Sequence, residues 1–145
     1  MKKKISILPV LFVLLIISCG GDSEPDPETQ KTTLDKLQGS WNITSVTVDG
    51  NDVTADFGGF AISINGSSYN LTNADGNAWP ESSGSLGLGG DQATTMSMGS
   101  NSNIAVAFSN DDKTLTLSFT VTTTTLGGGR VSGLAGNYVF VFNKA

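Results

Sequence analysis

Two stretches of alternating apolar residues, each interrupted by a short polar turn, place the strongest constraint on the fold of this 145-residue chain. In the first stretch, apolar residues of 60–64 and 67–71 flank the dipeptide Asn65-Gly66, which favours a tight β-hairpin turn because its residues tolerate positive φ. Pairing across this turn brings the apolar residues onto one face of the hairpin. The predicted pairs are Ile64 with Ser67, Ile62 with Tyr69, and Phe60 with Leu71.

The second stretch shows the same alternation. Apolar residues recur at every second position along 104–108 and 115–119, on either side of a polar turn at 110–113. A four-residue turn aligns all of them, and a slip of one residue would turn one strand's apolar side chains to the solvent. The predicted pairs are Ile104 with Phe119, Val106 with Leu117, and Phe108 with Leu115.

The rest of the chain after residue 39 also reads as short strands. Turns at this spacing, with no segment for a long crossover helix, favour an antiparallel sandwich or barrel. We interpret the Gly-rich stretches Gly84–Gly90 and Gly127–Gly129 as flexible loops. One short helical turn is predicted at 33–37, with Thr33 as its N-cap. The further strands are predicted at 41–48, 94–98, 114–124 and 137–143.

The N-terminus has the composition of an export signal. Three lysines at 2–4 precede an apolar run over 5–17, which contains Pro9 and is shorter than the ~20 residues needed to span a bilayer. Residues 16–19 (Ile-Ile-Ser-Cys) resemble the lipobox of bacterial lipoproteins. The resemblance implies cleavage directly before Cys19, acylation of that residue, and stable anchoring by two or more acyl chains, palmitate among them.

Cys19 is the only cysteine of the chain, so acylation leaves no thiol for a disulfide. Residues 20–33 are acidic and polar and lack large apolar side chains, which predicts a disordered acidic tether. The tether also resembles the acidic surface-export signals of some Gram-negative lipoproteins. We therefore expect a lipid-anchored protein of the bacterial outer membrane, facing the cell exterior, with the periplasmic face as the alternative. The predicted divisions are a signal peptide at 1–18, the lipidated cysteine and linker at 19–33, and one β-domain at 34–145.

Charge narrows the range of partners. The formal net charge is −5, and cleavage of the signal removes three lysines and takes it to −8. Such a chain is a poor match for nucleic acid, whose recognition depends on basic residues. It also lacks a polybasic second membrane anchor, so attachment should depend on the lipid.

Gly39 and Trp41 follow the short helical turn and open the first predicted strand. They resemble the Gly-x-Trp start of lipocalin-like domains. This resemblance implies an all-β, up-and-down antiparallel barrel over 34–145, closed at one end by the tryptophan, with a small hydrophobic ligand inside. The family also places a basic residue from late in the chain over the tryptophan, and Arg130 and Lys144 are both candidates for this cation–π contact.

Catalysis is poorly supported, because the chain has no histidine and its one cysteine is assigned to lipid. The adjacent Asp111 and Asp112 lie in a predicted turn, where Asp is favoured for hydrogen bonding to the backbone. Residues 73–77 resemble the start of a calcium loop, but the twelfth position is Gly84 rather than a carboxylate. We therefore predict a non-enzyme without a metal or cofactor.

Three residues are candidates for ligand binding. Trp79 lies in a polar segment, between Ala78 and Pro80, and is predicted to be partly exposed near a barrel rim. Met96 and Met98 share one face of a predicted strand and could adapt to a hydrophobic guest. The alternative is a solid-packed barrel that contacts an unidentified protein partner through its outer face.

Overall fold

The structure is a computed structural model, and it describes residues 27–74, 78–90, 92–109, 111–122, 124–126, 130–132 and 135–145. The predicted signal peptide, Cys19 and the first part of the linker lie outside these residues. The elements are one α-helix, α1 (Pro27–Leu37), one 3-10 helix (Thr54–Phe57), and eleven strands. The strands are β1 (Gly39–Val48), β2 (Asn51–Asp52), β3 (Ala61–Asn65), β4 (Ser68–Thr72), β5 (Ser83–Gly89), β6 (Thr95–Met98), β7 (Asn101–Phe108), β8 (Thr114–Val121), β9 (Thr124–Leu126), β10 (Arg130–Ser132) and β11 (Gly136–Lys144).

Eight of the strands form a closed antiparallel barrel, as predicted. Each of β1, β3, β4, β5, β6, β7, β8 and β11 pairs with the next of these along the chain, and β11 closes the barrel against β1. This order is an up-and-down meander. The short β2 pairs with the end of β1, and β9 pairs with β10 in a separate two-stranded ribbon. Closure removes the open sheet edges at which strands of different molecules pair.

The register of the second predicted hairpin is confirmed. Val106 of β7 pairs with Leu117 of β8, and Phe108 pairs with Leu115. Their side chains are directed into the barrel, where Val106, Leu115 and Leu117 are buried.

The first hairpin forms at the predicted place, but its predicted register is wrong by two residues. Ile64 pairs with Tyr69, and Ile62 with Leu71, so the turn residues are Gly66 and Ser67. Positive φ occurs at Gly66 (58°) and not at Ser67, which is the pattern of a type II′ turn. A shift of two residues keeps each side chain on its face, so the prediction of the apolar face holds.

The side chain of Gln38 contributes to this turn. The Gly66 N–H donates to Gln38 Oε1 at 2.7 Å, and Gln38 Nε2 donates to the Gly66 carbonyl at 3.2 Å. These two bonds join the hairpin turn to the end of α1. Gln38 and Gly66 are 28 residues apart in the chain, and turn propensity alone does not predict such a long-range contact.

The interpretation of Gly84–Gly90 as a flexible loop is wrong, because Ser83–Gly89 is strand β5. Its glycines allow close packing. A Cβ on Gly84 would lie 3.1 Å from the Tyr69 hydroxyl oxygen, and one on Gly87 would lie 2.9 Å from Ser97 Oγ. The second Gly-rich stretch, 127–129, lies outside the described residues.

The helix differs from the sequence prediction in length. It begins at Pro27, whereas the sequence predicted one turn from Thr33 and a disordered linker before it. Proline is well suited to the first turn of a helix, because its fixed φ is helical and its missing N–H would have no partner there. The buried Leu37 and the partly buried Leu34 fix the last turn of α1 to the barrel. Within the described residues, no helix has the length and apolar character needed to cross a membrane.

Inward-facing side chains of the barrel strands form one hydrophobic core, together with residues from α1, the 3-10 helix and the segment before β5. It contains nine aromatic residues, each no more than 9% exposed: Trp41, Phe57, Phe60, Tyr69, Trp79, Phe119, Tyr138, Phe140 and Phe142.

Candidate functional site

Trp41 lies fully buried at the barrel end that α1 covers, which we call the helix end. Its Nε1–H donates to the Leu37 carbonyl at 2.8 Å, which joins the last turn of α1 to the first barrel strand. Lys144 Nζ lies 5.1 Å from the centroid of the Trp41 ring and donates to the Lys36 carbonyl at 3.3 Å. Of the two basic candidates, the structure therefore places Lys144 over the tryptophan.

Gly39 lies two residues before Trp41, at the start of β1. Its φ is +110°, a backbone conformation that residues with a Cβ rarely adopt, and an added Cβ would lie 3.5 Å from Lys144 Cε. The glycine thus allows the chain to turn from α1 into β1 beside the lysine. Arg130 lies in β10, and the structure describes only its backbone.

The opposite end of the barrel, where β1, β4, β6 and β8 end, is filled by residues from two connections. The 3-10 helix between β2 and β3 contributes Phe57, and the segment before β5 contributes Trp79. Trp79 packs edge-on against Phe119 and Phe140, at centroid distances of 4.8 and 5.3 Å. These rings fill the interior at this end of the barrel.

The prediction that Trp79 is partly exposed at the rim is wrong, since only 2% of the residue is accessible. Its polar neighbours suggested exposure, but the same neighbours fasten the segment to the turn after β6. Asn101 Nδ2 donates to the Ala78 carbonyl at 2.8 Å, and the Ser100 N–H donates to Glu81 Oε2 at 2.6 Å. The Glu81 carboxylate also acts on the Tyr69 phenol, whose pKa is raised by burial first and by Glu81 second.

The indole N–H of Trp79 is buried and has no hydrogen-bond partner among the residues that the structure describes. A buried unpaired donor costs about 1–3 kcal/mol of desolvation. This distinguishes Trp79 from Trp41, whose N–H is paired.

Met96 and Met98 lie on the inner face of β6 and are 2% and 1% exposed. They pair with Leu88 and Leu86 of β5. The structure therefore places both in the hydrophobic core that also contains Trp79. They are core residues, and a guest could contact them only if part of this core moved aside.

Three open grooves lie around the barrel, and none of them is lined by Trp79, Met96 or Met98. A groove of about 420 Å³ separates α1 from the segment before β6 and the end of β7, and one of about 430 Å³ separates α1 from β5. A third, of about 440 Å³, lies over β7, β8 and β11. Their volumes lie in the range of small-molecule sites, but they are surface features.

The carboxylates act as turn and loop residues. Asp111 Oδ1 accepts a hydrogen bond from Ser109 Oγ at 2.6 Å and one from the Lys113 N–H at 3.3 Å, and these two bonds, in that order, lower the pKa of Asp111. This confirms its predicted role in the turn. Asp112 has φ of +55° and forms an ion pair with Lys36 at 3.0 Å.

A second loop carboxylate behaves in the same way. The hydroxyl and N–H of Thr54 donate to Asp52 Oδ1 at 2.6 and 2.9 Å, and both bonds lower the pKa of Asp52. In the possible calcium loop, Asn73 Nδ2 donates to the Gly59 carbonyl, and Asp75 and Asn77 lie outside the described residues. The described part of the chain contains no group of three or more acidic, cysteine or histidine residues placed to hold a metal ion.

The outer wall of the barrel is almost free of charge. Lys144 is the only charged residue in the eight described wall strands, and the outward positions hold mostly Ser, Thr, Asn, Gly and Ala. Sequence reasoning followed the apolar half of each alternating pattern and missed this property of the other half. Charge is therefore confined to the two ends of the barrel.

No protein-family model, curated protein or solved structure matches this chain.

Proposed function

We propose that this chain is a non-enzymatic, lipid-anchored lipoprotein whose solid barrel acts as an interaction or structural module through its outer surface. The observation that carries the proposal is the aromatic core, in which Trp79, Phe60, Phe119 and Phe140 have ring centroids 4.8–5.8 Å apart. Rings at these distances are in direct contact, so side chains fill the interior around them.

The membrane part of the proposal rests on the N-terminus. The lipobox-like residues 16–19 and the single cysteine support acylation of Cys19. The closed up-and-down barrel and the contact between Lys144 and Trp41 support the resemblance to lipocalin-like domains that Gly39 and Trp41 suggest. We propose the outer membrane as the location, with the domain facing the cell exterior and the periplasmic face as the alternative.

Replacement of the anchor residue tests this part directly. Cys19→Ser should abolish incorporation of labelled palmitate and release the protein from the membrane fraction. Ser102→Cys, in the same chain with Cys19 intact, is the matched control and should change neither result, because it adds a thiol at an exposed barrel position. Palmitate incorporation into Cys19→Ser would contradict the proposed anchoring. Protease treatment of intact cells distinguishes the exterior from the periplasmic face.

A second candidate function is binding of a small hydrophobic ligand inside the barrel. The unpartnered N–H of Trp79 favours it, because a ligand that moved this side chain into solvent would relieve a buried unpaired donor. The interior would then line the ligand site with Met96, Met98 and Phe119.

The two candidates differ in what the purified protein contains. A solid barrel should yield no bound small molecule when protein from its native host is extracted and analysed by mass spectrometry. Trp79→Ala should then acquire binding of an apolar probe such as 8-anilinonaphthalene-1-sulfonate, because it opens a cavity in the core, whereas the wild type should bind none. A stoichiometric apolar molecule in wild-type extracts would favour the ligand-binding function instead.

A further inference from the structure

The wall of the barrel is not continuous between β7 and β8. Their pairing ends at Ala105 and Ser118, although both strands continue beyond these residues. Regular continuation of the ladder would pair Asn103 with Thr120, and this pair does not form. The two strands therefore separate towards the end of the barrel opposite α1. We call the opening between them the β7–β8 cleft.

A β-bulge in β7 explains why the pairing ends there. Between β6 and β7 the register shifts, because Met96 pairs with Ile104 and Met98 with Asn101, so two steps along β6 correspond to three along β7. Asn103 lies in this bulge and has φ of +56°, a left-handed conformation that Asn adopts more readily than most residues. Bulges bend the strand that carries them and end its pairing, and they occur often beside functional sites.

The edge of β8 directs main-chain groups into this cleft. The Ser109 N–H donates to the Thr114 carbonyl at 2.9 Å, so Thr114 and every second residue after it direct their N–H and C=O groups towards β7. The Lys144 N–H donates to the Lys113 carbonyl at 2.9 Å, which places the alternate residues of this strand towards β11. Thr120 is thus directed into the cleft, where its main-chain groups have no partner from β7.

The lining of the cleft is polar but uncharged, and its volume is about 440 Å³. Hydroxyl and amide side chains line it, among them Asn103 and Thr120. Phe119 also lines it and is, at 9%, the most exposed of the nine aromatic residues in the core. Asn137 separates it from the Asp49 carboxylate, which accepts hydrogen bonds from the Asn137 N–H and Nδ2 at 3.0 and 3.1 Å. A charged occupant would therefore lose water without gaining an ionic partner among the described lining residues.

We propose that the β7–β8 cleft binds an extended, uncharged segment of a partner protein, which adds to the edge of β8 as a strand. The main chain of the segment takes the place that β7 leaves opposite Thr120, and an apolar side chain directed inwards covers Phe119. Strand addition of this kind takes its affinity from main-chain hydrogen bonds and its specificity from alternate side chains. The inference rests on the proposed interaction function of the outer surface and assigns that function to one place on the wall.

Amide hydrogen exchange, measured by nuclear magnetic resonance, tests the open edge in the absence of a ligand. In the acylated full chain in detergent micelles, the Thr120 N–H should exchange at least about tenfold faster than the Phe119 N–H. Phe119 is the matched reference, because it is the preceding residue of the same strand and pairs with Tyr138 of β11. Equal protection of the two amides would mean that the edge is closed in solution, which would overturn the proposal.

A library of random ten-residue peptides, displayed on phage and selected against the same protein, supplies the probe. We expect the selected sequences to be uncharged and to alternate apolar with polar residues. Binding of the tightest peptide should slow the exchange of the Thr120 N–H at least about tenfold. Selection of no binding peptide, or of peptides that leave Thr120 unchanged, would overturn the proposal.

Two substitutions separate main-chain from side-chain recognition. Thr120→Pro removes the N–H that is directed into the cleft and should weaken binding of the selected peptide at least about tenfold in fluorescence anisotropy. Thr120→Val is the matched control. It keeps the N–H, loses only the hydroxyl that donates to Asn137 Oδ1, and should bind as the wild type does. Equal binding by the two variants would overturn the proposal.

Methylation of the peptide nitrogens gives the same information without a change in the protein. N-methyl groups at one set of alternate peptide positions should abolish binding, because those N–H groups donate to β8, whereas the other set should leave binding unchanged. Equal effects of the two sets would contradict strand addition.

Failure of this site is distinguishable from failure of the proposed function. A stoichiometric apolar molecule in wild-type extracts would overturn the interaction function and this inference together. Wild-type protein that lacks such a molecule, and in which no peptide protects Thr120, would overturn the site alone. A dimer in sedimentation experiments that is lost in Thr120→Pro would place a second copy in the cleft and overturn the assignment to a partner protein.

Discussion

The two tryptophans of the core give a matched pair for a stability test. Both are buried, and they differ in one respect: the Trp41 N–H donates to the Leu37 carbonyl at 2.8 Å, whereas the Trp79 N–H has no partner among the described residues. Replacing each with phenylalanine removes the N–H and a similar amount of apolar surface. The two variants should therefore differ by the loss of the Trp41 hydrogen bond together with the removal of the unpaired Trp79 donor.

The magnitude follows from the structure. Each Trp→Phe exchange removes roughly two buried carbon groups, a loss of about 1.6 kcal/mol. Trp41→Phe also breaks a buried hydrogen bond and leaves the Leu37 carbonyl without this donor, which adds about 1–3 kcal/mol. Trp79→Phe removes an unpaired buried donor, which recovers about 1–3 kcal/mol. Even the lower ends of these ranges make Trp41→Phe the more destabilising by about 2 kcal/mol.

Urea unfolding followed by far-ultraviolet circular dichroism measures the difference, because this signal does not depend on tryptophan. The slope m should be the same for the wild type and both variants, so that the midpoints report stability alone. Equal losses of stability in Trp41→Phe and Trp79→Phe would refute the reasoning. They would mean that the Trp79 N–H is hydrogen-bonded in solution or that the Trp41 bond stabilises nothing.

Two further predictions concern the turns. Gly99→Ala should destabilise the protein by about 1–3 kcal/mol more than Gly50→Ala. Both glycines have positive φ, but only a Cβ on Gly99 would collide with the Glu81 carboxylate. Similar urea midpoints for the two variants would contradict this prediction. Asp111→Asn should reduce the loss of stability in acid. The folded-state pKa of Asp111 is lowered, so its contribution is present above its ordinary pKa of 3.8 and is lost as the pH falls through the folded value. The urea midpoint of the variant should fall less than that of the wild type between pH 5 and pH 2, and parallel curves would show that the Ser109 bond does not stabilise the fold.

Much of the barrel is predictable because local pattern and global fold agree in it. The four-residue turn at 110–113 aligns the apolar alternation on both sides of it, and the structure has the register that this alignment predicts. At Asn65-Gly66 the pattern allows two registers that keep the same faces, since a shift of two residues moves no side chain through the sheet. In the register that forms, two hydrogen bonds join the turn to Gln38, a contact that no local pattern contains.

Strand β5 and Trp79 were mispredicted for a related physical reason. Glycine in a strand usually indicates a loop or weak pairing, but Gly84 and Gly87 are there because neighbouring side chains occupy the space of a Cβ. Trp79 lies among polar residues that suggested exposure, yet Asn101 and Ser100 use hydrogen bonds to hold that segment over the barrel. In both cases the deciding partner lies on another strand or turn, far enough along the chain that its role appears only in three dimensions.

The energetics of the Trp79 segment separate the two candidate functions. A ligand that enters the barrel must displace this indole, and truncation of a buried tryptophan typically costs about 3–5 kcal/mol. Solvation of the freed N–H returns about 1–3 kcal/mol, which leaves a cost of about 2 kcal/mol at the midpoints of these ranges. Since each 1.4 kcal/mol is a factor of ten, a ligand that displaces this indole would bind roughly 30-fold more weakly than it would to an open barrel. A partner that contacts the uncharged outer wall meets no such cost, and it also desolvates no charged group along that wall except Lys144. The packed core therefore counts against the interior site and agrees with the proposed interaction through the outer surface.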